Sequence, residues 1–104
     1  MTSSTPGATP RMTAESPAVS TPVITIYTKG YCPYCHAAKA LLARRGLAFE
    51  EIAVDHDRAL EKEMIERSGR RTVPQIFING QHVGGHDDLV AAERSGDLDR
   101  QLAG

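Results

Sequence analysis

From about position 22 onward, apolar residues fall into short runs with the spacing of strands and helices. The run at 23–27 (Val-Ile-Thr-Ile-Tyr) is apolar on both faces, which predicts a central strand covered by helices on either side. In the stretch 33–45, Ala38, Leu41 and Leu42 share one helical face, and their spacing predicts a first helix. The first structured unit is therefore a strand that leads directly into a helix.

A second strand and a second helix follow this pair. Residues 48–54 predict a strand parallel to the first, because strand, helix and strand in succession normally form a right-handed crossover. Residues 58–68 predict a helix whose buried face carries Leu60, Met64 and Ile65. The two units together predict a parallel strand pair with helices packed against it.

A hairpin and two short helices complete the predicted elements. An Asn-Gly pair at 79–80, between predicted strands at 75–78 and 81–83, is typical of a two-residue hairpin turn. Two glycines then break the strand. Asp87 or Asp88 is predicted to cap a helix that runs to about residue 95, and a last short helix follows it. The order β-α-β-α-β-β-α predicts an α/β fold.

Residues 1–21 differ in composition from the rest of the chain. They are rich in Ser, Thr, Pro and Ala and lack an apolar face, so burial cannot offset the entropy of ordering them. They also lack the apolar core of a secretory signal. We predict a disordered tail over residues 1–21 and a single domain over residues 22–104, with Met12 as an alternative start.

Length, charge and hydropathy narrow the function. The 104 residues suffice for one small domain, and a net charge of −1 gives no electrostatic reason to expect nucleic-acid or membrane binding. No apolar run approaches the roughly 20 residues needed to span a bilayer. Two closely spaced cysteines in a chain without an export signal favour catalysis over a structural disulfide. The expected location is a reducing cytoplasm.

The only two cysteines, Cys32 and Cys35, stand where the first strand turns into the first helix. At a helix N-terminus, unpaired backbone N–H groups and the helix dipole favour a thiolate over a thiol at Cys32. Pro33 suits the first turn because its missing N–H is not needed there. Cys35, one turn later and less exposed, is positioned to attack a mixed disulfide formed at Cys32. The pair predicts thiol–disulfide chemistry.

The same cysteines permit three other interpretations. With His36 they read Cys-x-x-Cys-His, the attachment pattern of c-type haem, but no export signal accompanies it. A tetrahedral zinc site would need two further ligands, and only His82 and His86 are four residues apart. A pair of inert buried cysteines fits poorly, since Pro33 and the helix start place Cys32 at a turn. We therefore expect redox catalysis and no metal site.

Three separated motifs resemble those of dithiol glutaredoxins. They are Cys-Pro-Tyr-Cys at 32–35, Thr-Val-Pro-Gln-Ile-Phe-Ile at 72–78 and Gly-Gly-His-Asp-Asp-Leu at 84–89. The resemblance extends from about residue 22 to the C-terminus. It implies a thioredoxin-like fold, with a four-stranded mixed sheet flanked by helices. It also implies a glutathione-dependent thiol–disulfide oxidoreductase that reduces glutathionylated proteins and protein disulfides. His86 departs from the family, which often has cysteine at that position.

The resemblance also implies roles for individual residues. Cys32 is the expected nucleophile and Cys35 the resolving thiol, with glutathione as co-substrate. The proline of the second motif is expected to be cis, which leaves the Val73 backbone free to pair with an extended tripeptide. The residues expected to bind glutathione are Lys29, Tyr34, Arg71, Thr72, Val73, Pro74, Gly85, Asp87 and Asp88.

The charged residues among these expected ligands match the charges of glutathione, which carries two carboxylates and one ammonium group. Lys29 and Arg71 precede the first two motifs and are expected at the glycyl carboxylate. The N–H groups at the start of the third helix are expected to receive the γ-glutamyl carboxylate. Asp88, with its neighbour Asp87, is expected to accept the α-amino group. Arg70 is predicted to be an ordinary surface residue.

Two other functions share these features. A thioredoxin-like dithiol reductase recharged by a flavoprotein reductase would also use Cys32 and Cys35, but the chain has no tryptophan before its cysteines. An iron–sulfur scaffold would hold a cluster through Cys32 of two subunits and two glutathiones, and Pro33 disfavours it by stiffening the turn. We expect a monomer whose partners are glutathione and glutathionylated or disulfide-containing proteins.

Overall fold

The computed structural model describes residues 22–103, so the predicted tail over residues 1–21 lies outside the described residues. Within this range no helix is long and apolar enough to cross a membrane. The described residues form four strands and four helices. In order they are β1 (Ile24–Thr28), α1 (Pro33–Arg44), β2 (Glu50–Ala53), α2 (Arg58–Ser68), β3 (Gln75–Ile78), β4 (Gln81–Gly84), α3 (His86–Ser95) and α4 (Asp97–Ala103).

The strands form one mixed sheet in the order β2-β1-β3-β4. β1 pairs in parallel with β2 and antiparallel with β3, and β4 pairs antiparallel with β3. This arrangement confirms the predicted α/β fold with a four-stranded mixed sheet. β2 is shorter than the predicted 48–54. Among the described strands, it is an edge strand that pairs only with β1, from Thr25 opposite Glu50 to Thr28 opposite Ala53, and its length is that of this pairing.

The central strand β1 is buried on both faces, as its sequence predicts. On one face Ile24 and Ile26 pack with the apolar faces of α1 and α3. On the other face Tyr27 packs with Met64 of α2 and with Phe77 of β3. Burial on both sides fixes the end of β1, from which the cysteine turn departs.

The helix α3 begins earlier than predicted. Its N-cap is Gly85 and its first residue is His86, so the prediction that Asp87 or Asp88 caps it was wrong. Asp88 is the third helical residue, and its Oδ2 reaches back to accept the N–H of Gly85 at 2.9 Å. Gly84 before it has φ 123°, and a Cβ there would collide with the Asp88 carboxylate. This turn therefore requires glycine.

Candidate active site

Cys32 occupies the N-cap position of α1. Its backbone is extended, its Sγ accepts the N–H of Cys35 at 3.2 Å, and Pro33 is the first helical residue. The sulfur thus takes the place that a side-chain oxygen takes at most helix starts. A negative charge on this sulfur lies at the positive end of the helix dipole. The predicted position of Cys32 at the helix N-terminus is confirmed.

The two thiols differ in exposure. Cys32 is 7% exposed, whereas Cys35, which faces the core from the first turn of α1, is 0% exposed. Burial, followed by the hydrogen bond with Cys32, raises the pKa of Cys35 from 9.0 to about 12. Both cysteines are free thiols. Cys32 is therefore the thiol that a substrate can reach, and Cys35 keeps its proton at neutral pH.

The loop before β3 lies against the cysteine turn. The Val73–Pro74 peptide bond is cis, as expected. The Val73 carbonyl oxygen lies 3.7 Å from the Cys32 sulfur and accepts a hydrogen bond from its thiol. Two segments that are about forty residues apart in sequence thereby meet at the reactive sulfur.

An open cleft of about 210 Å³ lies between this loop, the start of α1 and the start of α3. The lining residues include every predicted glutathione-binding residue except Lys29 and Arg71. They are Tyr34, Arg70, Thr72, Val73, Pro74, Gly85, His86, Asp87 and Asp88. A larger depression of about 390 Å³ lies at the other end of β3, around Asn79 and Arg100, and no described hydrogen bond joins its lining residues to either cysteine, whereas Val73 of the smaller cleft contacts the Cys32 sulfur. The contact between Val73 and the Cys32 sulfur, rather than the volume, identifies the smaller cleft as the candidate active site.

The two cations expected in the clamp lie outside this lining. The Lys29 ammonium pairs with Glu61 Oε2 of α2 at 3.3 Å. Arg71 is exposed, and within residues 22–103 it forms no ion pair. Within residues 22–103 no contact directs the side chain of Lys29 or Arg71 into the cleft.

Arg70, predicted to be an ordinary surface residue, is instead part of the cleft wall. Its Nη1 donates to Asp88 Oδ2 at 3.0 Å. The Gly85 N–H and then Arg70 hold the pKa of the Asp88 carboxyl below its usual value. Two adjacent arginines in a loop carry no periodic signal that tells which one faces the cleft. Only the fold distinguishes Arg70 from Arg71.

His86 forms the part of the wall where the resembled family often has cysteine. Its ring centroid lies 5.8 Å from that of Tyr34, which is itself exposed. Its Nδ1 lies 3.6 Å from Asp87 Oδ1, and this buried nitrogen has no hydrogen-bond partner within the described range. The imidazole therefore forms one side of the cleft. Within residues 22–103 no hydrogen bond joins it to either thiol.

Comparison with known proteins agrees with this geometry. A protein-family model described as Glutaredoxin matches residues 24–83, more than half of the chain. The chain belongs to the glutaredoxin family. Glutaredoxin 3 of Escherichia coli K12 is 58% identical over 79 residues, which cover 76% of this chain and 95% of the relative. A glutaredoxin of Pseudomonas aeruginosa is 51% identical over 82 residues, 79% of this chain and 98% of the relative.

Solved structures of the family share the fold. The solution structure of a Brucella melitensis glutaredoxin has a TM-score of 0.72 and 53% identity, covering 83% of this chain and 95% of that one. A buckwheat glutaredoxin–glutathione complex has a TM-score of 0.70 and 33% identity, covering 76% of this chain and 74% of that one. The chain is thus a thiol–disulfide oxidoreductase with the thioredoxin-like fold.

Proposed function

We propose that the chain uses glutathione to reduce glutathionylated proteins and protein disulfides, with Cys32 as nucleophile and Cys35 as resolving thiol. The observation that carries the proposal is the position of the Cys32 sulfur. It caps α1 and contacts the Val73 carbonyl of a loop that lines the 210 Å³ cleft. The buckwheat relative, a complex with glutathione, supports the choice of ligand.

The reaction on a glutathionylated protein needs only Cys32. The Cys32 thiolate attacks the glutathione sulfur, a Cys32–glutathione disulfide forms, and the bond to the protein sulfur breaks. The protein leaves as a thiolate and takes up a proton. A second glutathione thiolate then attacks the adduct, so that oxidised glutathione leaves and the Cys32 thiolate returns.

Reduction of a protein disulfide also requires Cys35. Cys32 attacks one sulfur of the substrate and forms a mixed disulfide. Cys35 then attacks the Cys32 sulfur, and its proton passes to the departing substrate thiolate. The high pKa of Cys35, about 12, keeps this thiol neutral until the mixed disulfide forms. Two glutathiones reduce the resulting Cys32–Cys35 disulfide.

The cleft offers contacts along the whole tripeptide. The Val73 backbone is proposed to pair with the cysteinyl residue of glutathione, with Tyr34, Thr72 and Pro74 forming the walls. We propose that the γ-glutamyl carboxylate meets the N–H groups at the start of α3, where Gly85 allows close approach.

The charged ends of glutathione need charged partners. Asp87 and Asp88 are proposed at the α-amino group, and the side chain of Asp87 is fully exposed and free to turn toward it. Lys29 and Arg71 are proposed around the glycyl carboxylate, whereas Arg70, which donates to Asp88, is proposed at the γ-glutamyl end. Of these three, Arg70 already lines the cleft, whereas Lys29 must leave Glu61 to reach it.

We further propose that the chain acts as a monomer in a reducing cytoplasm, with residues 22–104 as the functional domain. The expected absence of a metal cofactor remains part of the proposal.

A coupled assay tests the choice of reductant. NADPH oxidation is followed with a glutathionylated peptide in two mixtures, one with glutathione and glutathione reductase, the other with thioredoxin reductase alone. We expect turnover in the first mixture and little in the second. Cys32→Ser should be inactive, whereas Cys35→Ser should reduce the glutathionylated peptide and lose activity on a protein disulfide. Turnover supported by thioredoxin reductase alone would favour a thioredoxin-like function.

A further inference from the structure

The side chain of Gln75 is a buried polar group directly behind the cleft loop. Gln75 is the first residue of β3, follows the cis-proline and is 0% exposed. Its amide Nε2 donates to the Thr72 carbonyl oxygen at 3.0 Å and to Thr72 Oγ1 at 3.2 Å. Its Oε1 lies 2.7 Å from His82 Nε2 of β4. A buried amide is costly unless its polar atoms are paired, and here both are paired.

The chemistry of the partners fixes the direction of each hydrogen bond between His82, Gln75 and Thr72. A backbone carbonyl only accepts, so the Gln75 nitrogen faces Thr72 and the amide oxygen faces His82. That oxygen also only accepts, so His82 must carry a proton on Nε2 and donate it. Burial, with a smaller effect of nearby Arg70, lowers the pKa of His82 against the opposing effect of Asp88. The ring is therefore neutral at neutral pH, with its single proton on Nε2.

His82 is itself held in place by the sheet. It stands opposite Phe77 across the β3–β4 pairing, and the two rings are in contact in a tilted arrangement, with centroids 4.9 Å apart. On the other side, Gln75 pairs with Tyr27 of the central strand. The hydrogen-bonded series His82–Gln75–Thr72 thus connects the rigid sheet to the loop at residues 72–74.

We propose that Gln75 and His82 are positioning residues for the glutathione reaction. They fix the loop at residues 72–74 and so align the Val73 backbone with the bound tripeptide and with Cys32. Neither side chain lines the cleft, so the effect on glutathione passes through Thr72. This inference rests on the proposed function, since it assigns the loop to glutathione binding.

The test replaces His82 with two residues of different hydrogen-bonding capacity. His82→Phe keeps a ring on Phe77 but leaves the Gln75 oxygen unpaired. His82→Gln restores an N–H donor. His56→Ala, at a fully exposed histidine in the turn before α2, serves as the matched control. The KM and kcat for a glutathionylated peptide are measured for each variant. The rate of Cys32 alkylation by iodoacetamide, a reagent that does not need the cleft, is measured alongside.

We expect His82→Phe to raise KM by about 2- to 10-fold, the effect of one lost hydrogen bond, with kcat changed less. Alkylation of Cys32 should stay at the wild-type rate, and His82→Gln should recover most of the affinity. An unchanged KM in His82→Phe would overturn the inference. A parallel loss of alkylation would overturn it too, because the damage would then not be confined to the loop.

The tautomer gives a second readout that requires neither activity nor a folded variant. The ¹⁵N shifts of the His82 ring in the wild-type protein should report the neutral form protonated on Nε2. A ring protonated on Nδ1 instead would contradict the hydrogen-bond series. If the wild type showed no glutathione-dependent turnover, the proposed function would fail, and the tautomer would still decide whether the series exists.

Discussion

The Cys32 sulfur lies 3.2 Å from the backbone nitrogen of Cys35 and accepts its hydrogen bond. This contact places the sulfur at the positive end of the α1 dipole. Burial of Cys35 and its contact with Cys32 together raise the pKa of the second thiol to about 12. The first turn of α1 therefore holds two different thiols, the more accessible nucleophile Cys32 and the buried, protonated resolving thiol Cys35.

Selective alkylation follows from this difference. Iodoacetamide at pH 8 should modify Cys32 in the reduced protein and leave Cys35 unmodified, because only a thiolate reacts and Cys35 is protonated and buried. Peptide mass mapping over a time course measures both rates. In urea the two rates should become similar. Equal labelling in the folded protein would contradict the assigned difference.

Cys35 should also make stability depend on pH in the alkaline range. Its pKa is higher in the folded protein, about 12, than the ordinary 9.0. Below pH 9 both states hold the proton and the contribution to the free energy of unfolding is complete. Between these values the unfolded chain loses the proton first, so stability falls as pH rises. The urea midpoint of the wild type should therefore fall more steeply above pH 9 than that of Cys35→Ser, and parallel curves would contradict this.

The two adjacent arginines should differ in importance. Arg70→Ala should lower kcat/KM for a glutathionylated peptide by up to about 10-fold, since the contact is charge-assisted but open to solvent. Arg71→Ala, which removes another of the proposed glutathione ligands, should have a smaller effect, because Arg71 does not line the cleft. Activity on a small uncharged disulfide should be unchanged in both. A larger loss in Arg71→Ala would reverse the assignment.

Gly84 should be a structural requirement of the turn before α3. Gly84→Ala forces an alanine into φ 123° and against the Asp88 carboxylate. A strained residue of this kind costs on the order of 1–3 kcal/mol, so the thermal midpoint should fall by roughly 5–20 °C. Gly30→Ala is the control, because its nearest neighbour would be Asp55 Oδ2 at an ordinary 3.5 Å. Equal midpoints in the two variants would show that the turn adapts.

Features set by local sequence were predictable. The strand before Cys32, the proline after it and the helical spacing of Leu41 and Leu42 gave the cysteine turn its correct place. The helix Arg58–Ser68 and the Asn-Gly hairpin also agree with their predicted positions. In each case the signal lies within a few residues of the structure that it specifies.

Features set by packing could not be predicted from the sequence. Asp88 looked like a helix cap, yet it is the third residue of α3, because Gly85 already provides the cap. Arg70 and Arg71 are equivalent in sequence, and only the path of the loop decides which one reaches Asp88. Pairing of Gln75 with His82 depends on the register of β3 and β4, which a hydrophobic pattern does not specify at single-residue precision.

In the proposed mechanism, Cys32 attacks the glutathione sulfur of a bound glutathionylated substrate. Trapping the intermediate tests it most directly. Cys35→Ser is mixed with a glutathionylated peptide in the absence of free glutathione, quenched with acid and analysed by intact mass and peptide mapping. We expect a glutathione adduct on Cys32 and a free peptide thiol. A peptide adduct on Cys32 with release of glutathione, or no adduct at all, would contradict it.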